Sequence, residues 1–274
     1  MLDSISFIGG GVMCEAIAQG LLSKKLVNNK SITVAEPRKE RLDELKQKLK
    51  ITVTTNNREA AQVGKTLILS VKPQDLDDVL ASLKGTLRPE QLVMSIVAGG
   101  RITTLSKGLE HNAIARVMPN TPAQIGEGMS VWTTTPEVTK SQFNQARSIL
   151  QALGKELHVN DEKFLDMATA ISGTGPTYVF LVMEAMIDAA VHLGFARHVA
   201  YQLVTETIRG SIAYAIMSGK HPAELRNLVT SPGGTSAAAL YELEKGGLRT
   251  VFSRAILAAY ERSKSLGERK RPSA

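Results

Sequence analysis

Ile5-Ser6-Phe7-Ile8-Gly9-Gly10-Gly11-Val12-Met13-Cys14 is the stretch that decides the reading of the chain. Ile5–Ile8 is a short apolar run of the kind that forms a buried strand. Three glycines follow, and from Val12 to Ser23 apolar residues recur at helical spacing as Ile17, Leu21 and Leu22. A strand that turns through glycines directly into a helix brings free backbone N–H groups to a point, and such a point attracts anions. Gly9 permits the tight turn, and Gly11 lets the backbone approach a pyrophosphate. Ile8, Gly10, Val12 and Met13 complete the loop. Cys14 stands at the third small position, where Gly or Ala is usual; cysteine is small enough to keep helix and strand close. A glycine-rich turn with no ligand is the competing reading, and the surrounding strand, helix and later repeats of that unit weigh against it.

Outward from this loop the alternation continues. Ile32–Ala35 is a second β-branched run, and Arg38–Leu49 carries Leu42, Leu45 and Leu49 on one helical face. Thr52–Thr54, Thr66–Val71, Leu92–Val97 and Ala113–Val117 read as further strands, with a helix over Pro73–Leu83. Met129–Trp132 and Leu157–Val159 add strands around a helix at Thr139–Leu153, closed by Gly154. Repeated strand–helix units predict an α/β domain with a parallel sheet and helices on both faces. From Asp161 the alternation stops and helix follows helix to about Leu266. The expected organisation is a Rossmann-type dinucleotide-binding domain over residues 1–160 and an all-helical domain over 161–274.

Composition narrows the function. Of 274 residues, 43% are hydrophobic and 22% charged, which is enough apolar material for true cores. The net charge of +7 is spread along the chain, with clusters near Arg38–Lys50 and in the tail, while aromatic residues make up only 4%. That combination is a poor nucleic-acid footprint and fits a phosphate-bearing cofactor and an anionic small molecule better. The lone cysteine excludes an intramolecular disulfide and suits a reducing cytoplasm. We read no signal peptide at the N-terminus and no membrane-spanning segment.

Thr177–Phe195 is nearly all apolar, interrupted by Glu184, Asp188 and His192. A helix apolar on most sides must be covered on most sides. The expectation is a homodimer in which each chain's helices complete the other's core. The three polar residues recur every four positions, as a metal site or proton relay would, but no other metal-ligand spacing accompanies them. We read them as a polar stripe and expect no metal.

Two residues bear on the cofactor. Glu36 lies at the end of the second strand, where an acid bonds ribose hydroxyls and favours NAD; Arg38, two residues on, would meet a 2′-phosphate and favour NADP. The two signals oppose each other.

Five separated segments together resemble the pyrroline-5-carboxylate reductase family. They are Gly9-Gly10-Gly11-Val12-Met13, Val71-Lys72-Pro73, Met118-Pro119-Asn120-Thr121-Pro122, Ser172-Gly173-Thr174-Gly175-Pro176 and Ser231-Pro232-Gly233-Gly234-Thr235, in the family's order. The resemblance implies hydride transfer from NADPH, with NADH as the alternative, to the C=N carbon of 1-pyrroline-5-carboxylate, giving L-proline. It implies cofactor contacts at Asn57, Ser70, Val71, Lys72, Pro73, Val97, Ala98 and Gly99, and places Asn120 near the nicotinamide. It implies that Ser231, Gly233, Gly234, Thr235 and Ser236 hold the substrate carboxylate, with Thr235 and Ser236 as the catalytic hydroxyls. It also implies a homodimer, with a ring of dimers as a higher assembly, and neither nucleic acid nor membrane as partner. Two positions depart from the family: Ser236 stands where a second threonine is usual, and Asn227 where Asp is common. A serine keeps the hydroxyl but loses the methyl that fixes its rotamer.

The residues alone fit that chemistry. A protonated imine is already electrophilic, so the site needs an anion anchor and a hydroxyl, with no metal or nucleophile. Ser231–Ser236 offers hydroxyls and N–H groups ahead of a helix at Ala237–Glu244; ordinary helix capping by Thr235 or Ser236 is the competing use. Hydroxyacid dehydrogenases of similar layout use a lysine on the first long helix of the second domain, and no lysine stands between Lys163 and Lys220. A reductase of another small imino or oxo acid, and a cofactor-binding sensor without turnover, are the alternatives. Cys14 is open to two readings: a packing residue, or a thiol acidified by the helix start.

Overall fold

The computed structural model describes residues 2–268. Strands and helices alternate through the first half as β1 (Ile5–Ile8), α1 (Val12–Ser23), β2 (Ile32–Ala35), α2 (Lys39–Leu49), β3 (Thr52–Thr54), α3 (Asn57–Val63), β4 (Thr66–Leu69) and α4 (Leu76–Leu83). They continue as β5 (Leu92–Ser95), α5 (Ile102–Leu109), β6 (Ile114–Met118), β7 (Gly128–Thr134), α6 (Lys140–Gln151) and β8 (Gly154–His158). All eight strands form one sheet in the order β3-β2-β1-β4-β5-β6-β7-β8. The chain winds outward from β1 in one direction, then returns and winds the other way from β4. The carboxyl ends of β1 and β4 therefore flank the point where the winding reverses, which is where open α/β sheets bind ligands.

The sheet is parallel from β3 to β6, as expected, but β7 runs antiparallel to β6, with Val117 opposite Trp132. The connection over residues 119–127 is shorter than the roughly 12 residues a parallel crossover needs. β8 returns parallel to β7 after α6, and it starts at Gly154 rather than Leu157. Gly154 sits at φ +137°, and a Cβ there would collide with the Gly128 backbone. The helix itself ends earlier, at Gln151 with Ala152 as its C-cap, so Gly154 opens the strand and does not close the helix.

Both faces of the sheet are buried, so successive residues of one strand feed different cores. Ile5 and Phe7 of β1 and Ile68 of β4 join Ile17, Leu21 and Trp132 on one side. Ile8, Leu67 and Leu69 join Leu76, Leu80 and Leu105 on the other. Two helices escape a reading by periodicity. α3 buries only Ala60 and Ala61, and it is started by the Asn56 side chain, which accepts from the N–H groups of Arg58 and Glu59. α5 is short, and its Gly108 presses on α4, where an added Cβ would lie 2.8 Å from Leu80 Cδ1.

Beyond β8 come α7 (Lys163–Ala168), a wider helical turn at Thr169–Gly173, α8 (Gly175–His192), α9 (Arg197–Ser218), α10 (Pro222–Leu228), α11 (Thr235–Lys245) and α12 (Leu248–Gly267). The chain divides into two compact units: one runs up to Thr174 and includes the chain from Ala259 onward, and the other is Gly175–Ala258. The helical unit has little interior of its own. Ile187, Ala200 and Val204 are buried in it, while Phe180, Leu181, Ile216 and Met217 are more than half exposed. Apolar surface on this scale is uncommon on a monomer and marks a face that a partner covers. The 163–192 helical stretch is long and apolar enough, by length and composition, to cross a bilayer. That property is one of length and composition alone, and helices covered by protein share it.

Candidate active site

β1 ends at Ile8, and the chain turns at Gly9 with φ +97°. The Gly9 N–H donates to Ala35 O (2.8 Å), and Ser70 Oγ donates to Gly9 O (2.8 Å). An added Cβ on Gly9 would lie 2.8 Å from Ser70 O and 2.9 Å from Val71 Cγ1. The turn is therefore clamped between the ends of β2 and β4, and only glycine fits there.

Gly11 is glycine for a different reason. Its φ is −68°, open to any residue, and an added Cβ would meet nothing within 4 Å. Gly11 is also the N-cap of α1, and no side chain caps that helix. Free N–H groups at a helix start thus face open space that a side chain would fill. Nothing in the protein's own packing requires glycine at this position.

A cavity of about 500 Å³ opens from this point. Its walls include Ile8, Gly9 and Gly11 of the loop, Glu36 and Arg38 after β2, and Asn57, Ser70, Val71 and Lys72. Thr55, in a loop, and Gln74 and Asp75, in a short 3-10 turn over Pro73–Asp75, also line it; they carry no motif, and no signal in the sequence would have found them. A second cavity, about 220 Å³, is bounded by Pro73, Ala98 and Gly99 together with Leu266 and Gly267 from the end of α12. The other cofactor candidates lie elsewhere. Val97 is buried in the core below α4, Met13 packs on the opposite core, and Val12 is exposed. Gly10 carries the contact to Glu36 that follows.

Glu36 and Arg38, opposed in sequence, are partners in space. Glu36 Oε2 accepts the Gly10 N–H (2.9 Å), and Glu36 Oε1 accepts Arg38 Nε (2.7 Å). Burial works against ionisation of Glu36, but the bonds from Arg38 and Gly10 outweigh it and hold the carboxyl below its ordinary range. The Glu36 side chain is 7% exposed and that of Arg38 65%. The acid is thus an internal strut under the glycine loop, and the guanidinium it orients faces the cavity mouth.

Asn120 is also committed internally. Its Nδ2 donates to Ser172 O (3.1 Å) in the wide helical turn, and its Oδ1 accepts the Met129 N–H (2.9 Å). Burial pushes the Cys14 thiol well up, so the helix start does not make it reactive.

In the helical unit, Pro232 and Gly233 make a turn with Gly233 at φ +69°, and α11 begins at Thr235. The Gly234 N–H donates to Ser231 O (3.1 Å), and a Cβ on Gly234 would lie 2.5 Å from Ser231 Oγ. Gly234 is the N-cap, and no side chain caps α11. Capping, the competing use of Thr235 and Ser236, is therefore not their role. Among the described residues neither hydroxyl has a hydrogen-bond partner, so both hydroxyls and the first N–H groups of α11 are free for an anion. Ser231, Gly233 and Thr235 are exposed. On α8, Asp188 pairs with Arg197 (3.0 Å). Among the described residues no group of three or more metal-ligating side chains assembles, so Glu184, Asp188 and His192 form no such group.

Known proteins match both halves of the chain. Residues 162–266 match the pyrroline-5-carboxylate reductase dimerisation family, and residues 4–99 match the coenzyme F420-dependent NADP oxidoreductase family. A pyrroline-5-carboxylate reductase of Synechocystis sp. is 42% identical over 270 residues, spanning 98% of this chain and 100% of the relative. A solved pyrroline-5-carboxylate reductase from Coxiella burnetii superposes with a TM-score of 0.88 at 35% identity, over 97% of this chain and 99% of that one. A solved pyrroline carboxylate reductase from Plasmodium falciparum, with NADP bound, superposes with a TM-score of 0.90 at 32% identity, over 97% of this chain and 98% of that one.

Proposed function

The chain belongs to the pyrroline-5-carboxylate reductase family, and from that premise we propose how its residues carry the reaction. It is an NAD(P)H-dependent oxidoreductase that reduces the C=N bond of 1-pyrroline-5-carboxylate to give proline, and it works as a homo-oligomer. The single observation behind this is that reductases of this name match the chain along nearly its whole length, so glycine loop and serine-glycine loop are matched together.

NAD(P)H, when bound, supplies the hydride. The chain's residues bind and orient. The backbone at Gly9–Gly11 and the head of α1 receive the pyrophosphate, in the space that Gly11 leaves open. Arg38, held by Glu36, reaches for a 2′-phosphate, which makes NADPH the favoured cofactor and NADH the alternative. The free N–H groups at the start of α11 anchor the substrate carboxylate, and the hydroxyls of Thr235 and Ser236 hydrogen-bond the ring nitrogen as it becomes an amine. The apolar faces of α8 and α9 support a homodimer, and a ring of dimers is the higher assembly we expect. A cytoplasmic location accords with a single buried thiol.

The test is the initial rate of NADPH and of NADH oxidation with 1-pyrroline-5-carboxylate, with proline identified as product. Thr235→Ala with Ser236→Ala should abolish most turnover and leave nucleotide affinity intact. A folded protein that binds nucleotide but oxidises neither cofactor would redirect the search to another imino acid or to a sensor.

A further inference from the structure

Arg116 on β6 is charged and buried, its side chain only 5% exposed. A guanidinium taken this far out of water needs close partners to offset its lost hydration. It has two, Glu162 Oε1 at 2.7 Å and Asp166 Oδ1 at 3.3 Å. Neither carboxylate serves Arg116 alone. Glu162 Oε1 also accepts the N–H of Ile102 (2.8 Å), the first residue of α5. Asp166 Oδ1 also accepts the hydroxyl of Ser263 (3.1 Å), which is itself buried on α12.

These two outer bonds bracket one segment. Ile102 lies two residues beyond Gly100. Ser263 lies less than one helical turn before Leu266, and Leu266 rests on Gly99: an added Cβ there would sit 2.9 Å from Leu266 backbone and side chain. Gly99 is at φ +75°, so the Val97–Gly100 turn meets the end of α12 with no room to spare. Ala98 and Gly99 form one side of the second cavity, and Leu266 and Gly267 another. One buried guanidinium therefore governs both edges of this wall.

We propose that Arg116 is a positioning residue for the nicotinamide nucleotide. It sets the Val97–Gly100 wall from both edges, through Glu162 on Ile102 and through Asp166 and Ser263 on the end of α12, and does not touch the nucleotide. The inference rests on the reading that NADPH binds in the first unit. A purely structural role would lower the melting temperature and leave nucleotide affinity per folded molecule unchanged.

The experiment titrates full-length protein with NADPH by fluorescence, without imine, and then measures KM for NADPH and for 1-pyrroline-5-carboxylate. Arg116→Met should raise the NADPH Kd at least tenfold with less than a twofold change in the imine KM, and Arg116→Lys should recover part of the loss. Ser263→Ala, which deletes one hydroxyl and is the variant to use if Arg116→Met does not fold, should raise the NADPH Kd at least threefold. Folded variants that bind NADPH within twofold of wild type, or equal rises in both KM values, would overturn the inference alone. A wild-type protein that binds neither NADPH nor NADH would overturn the functional reading and this inference with it.

Discussion

Replacing Gly11 by alanine separates the fold from the function at a single atom. The added Cβ meets nothing within 4 Å, and φ −68° suits alanine, so the folded protein has no steric reason to object. Alanine is a poorer N-cap than glycine by less than about 1 kcal/mol. The stiffer unfolded chain offsets roughly 0.4–1 kcal/mol of that. The melting temperature should therefore stay within about 2 °C of wild type, given roughly 2–4 °C per kcal/mol for a chain of this size. The nucleotide feels the same methyl differently. If it displaces one charge-assisted bond between backbone and phosphate, about 1.5–3 kcal/mol is lost, or roughly 10- to 150-fold in Kd. Gly9→Ala is the control with the opposite profile. Its backbone at φ +97° costs alanine roughly 1–2 kcal/mol, and the collision with the Ser70 carbonyl adds to it, so Tm should fall by several degrees. Thermal melts and NADPH fluorescence titrations on both variants make the comparison. If folded Gly11→Ala binds NADPH within twofold of wild type, or melts as early as Gly9→Ala, then Gly11 is not kept small for a ligand and the reasoning fails.

Three further outcomes are expected. Arg38→Ala should raise the KM for NADPH about tenfold or more, the scale of one lost charge-assisted bond, and change that for NADH less than twofold; equal effects would show that Arg38 does not read the 2′-phosphate. Glu36→Gln should make stability less dependent on acid. The folded-state pKa of Glu36 lies below its ordinary 4.5, so its contribution is complete above that value and is lost as pH falls through the folded one. Urea melts of wild type and Glu36→Gln should thus differ by a constant amount well above pH 4.5 and converge as pH falls below that value through the folded-state one, and a gap that widens in acid would contradict the assignment. Cys14 is fully buried with its thiol pushed up, so a thiol reagent should label it only in denaturant; rapid labelling of native protein would show that the helix start, and not burial, governs it.

The strand–helix alternation, the glycine loop and the change to helices near residue 160 were legible because each is local. Buried strands are apolar runs, surface helices repeat every three or four residues, and turns are marked by glycine, all within a few positions of the residue concerned. Where local signals were weak the reading faltered. α3 buries only alanines, and the antiparallel course of β7 depended on the length of the connection before it. The competition between Glu36 and Arg38 could not be decided from order alone, because the deciding contact is to Gly10, 26 positions away.

What the sequence by itself determined is the α/β architecture of the first half, the helical second half, the nucleotide loop and, through separated motifs, the family. What only the tertiary structure decided is which polar groups are spent inside the protein and which remain for ligands. It commits Asn120 to Ser172 and Met129, and among the described residues it leaves the Thr235 and Ser236 hydroxyls without partners. It joins Arg116 to Asp166, 50 positions on, and Asp166 to Ser263, another 97 beyond. The physical reason is that a hydrogen bond or ion pair is formed between groups within about 3 Å whatever their separation along the chain, whereas composition and periodicity register only neighbours in sequence.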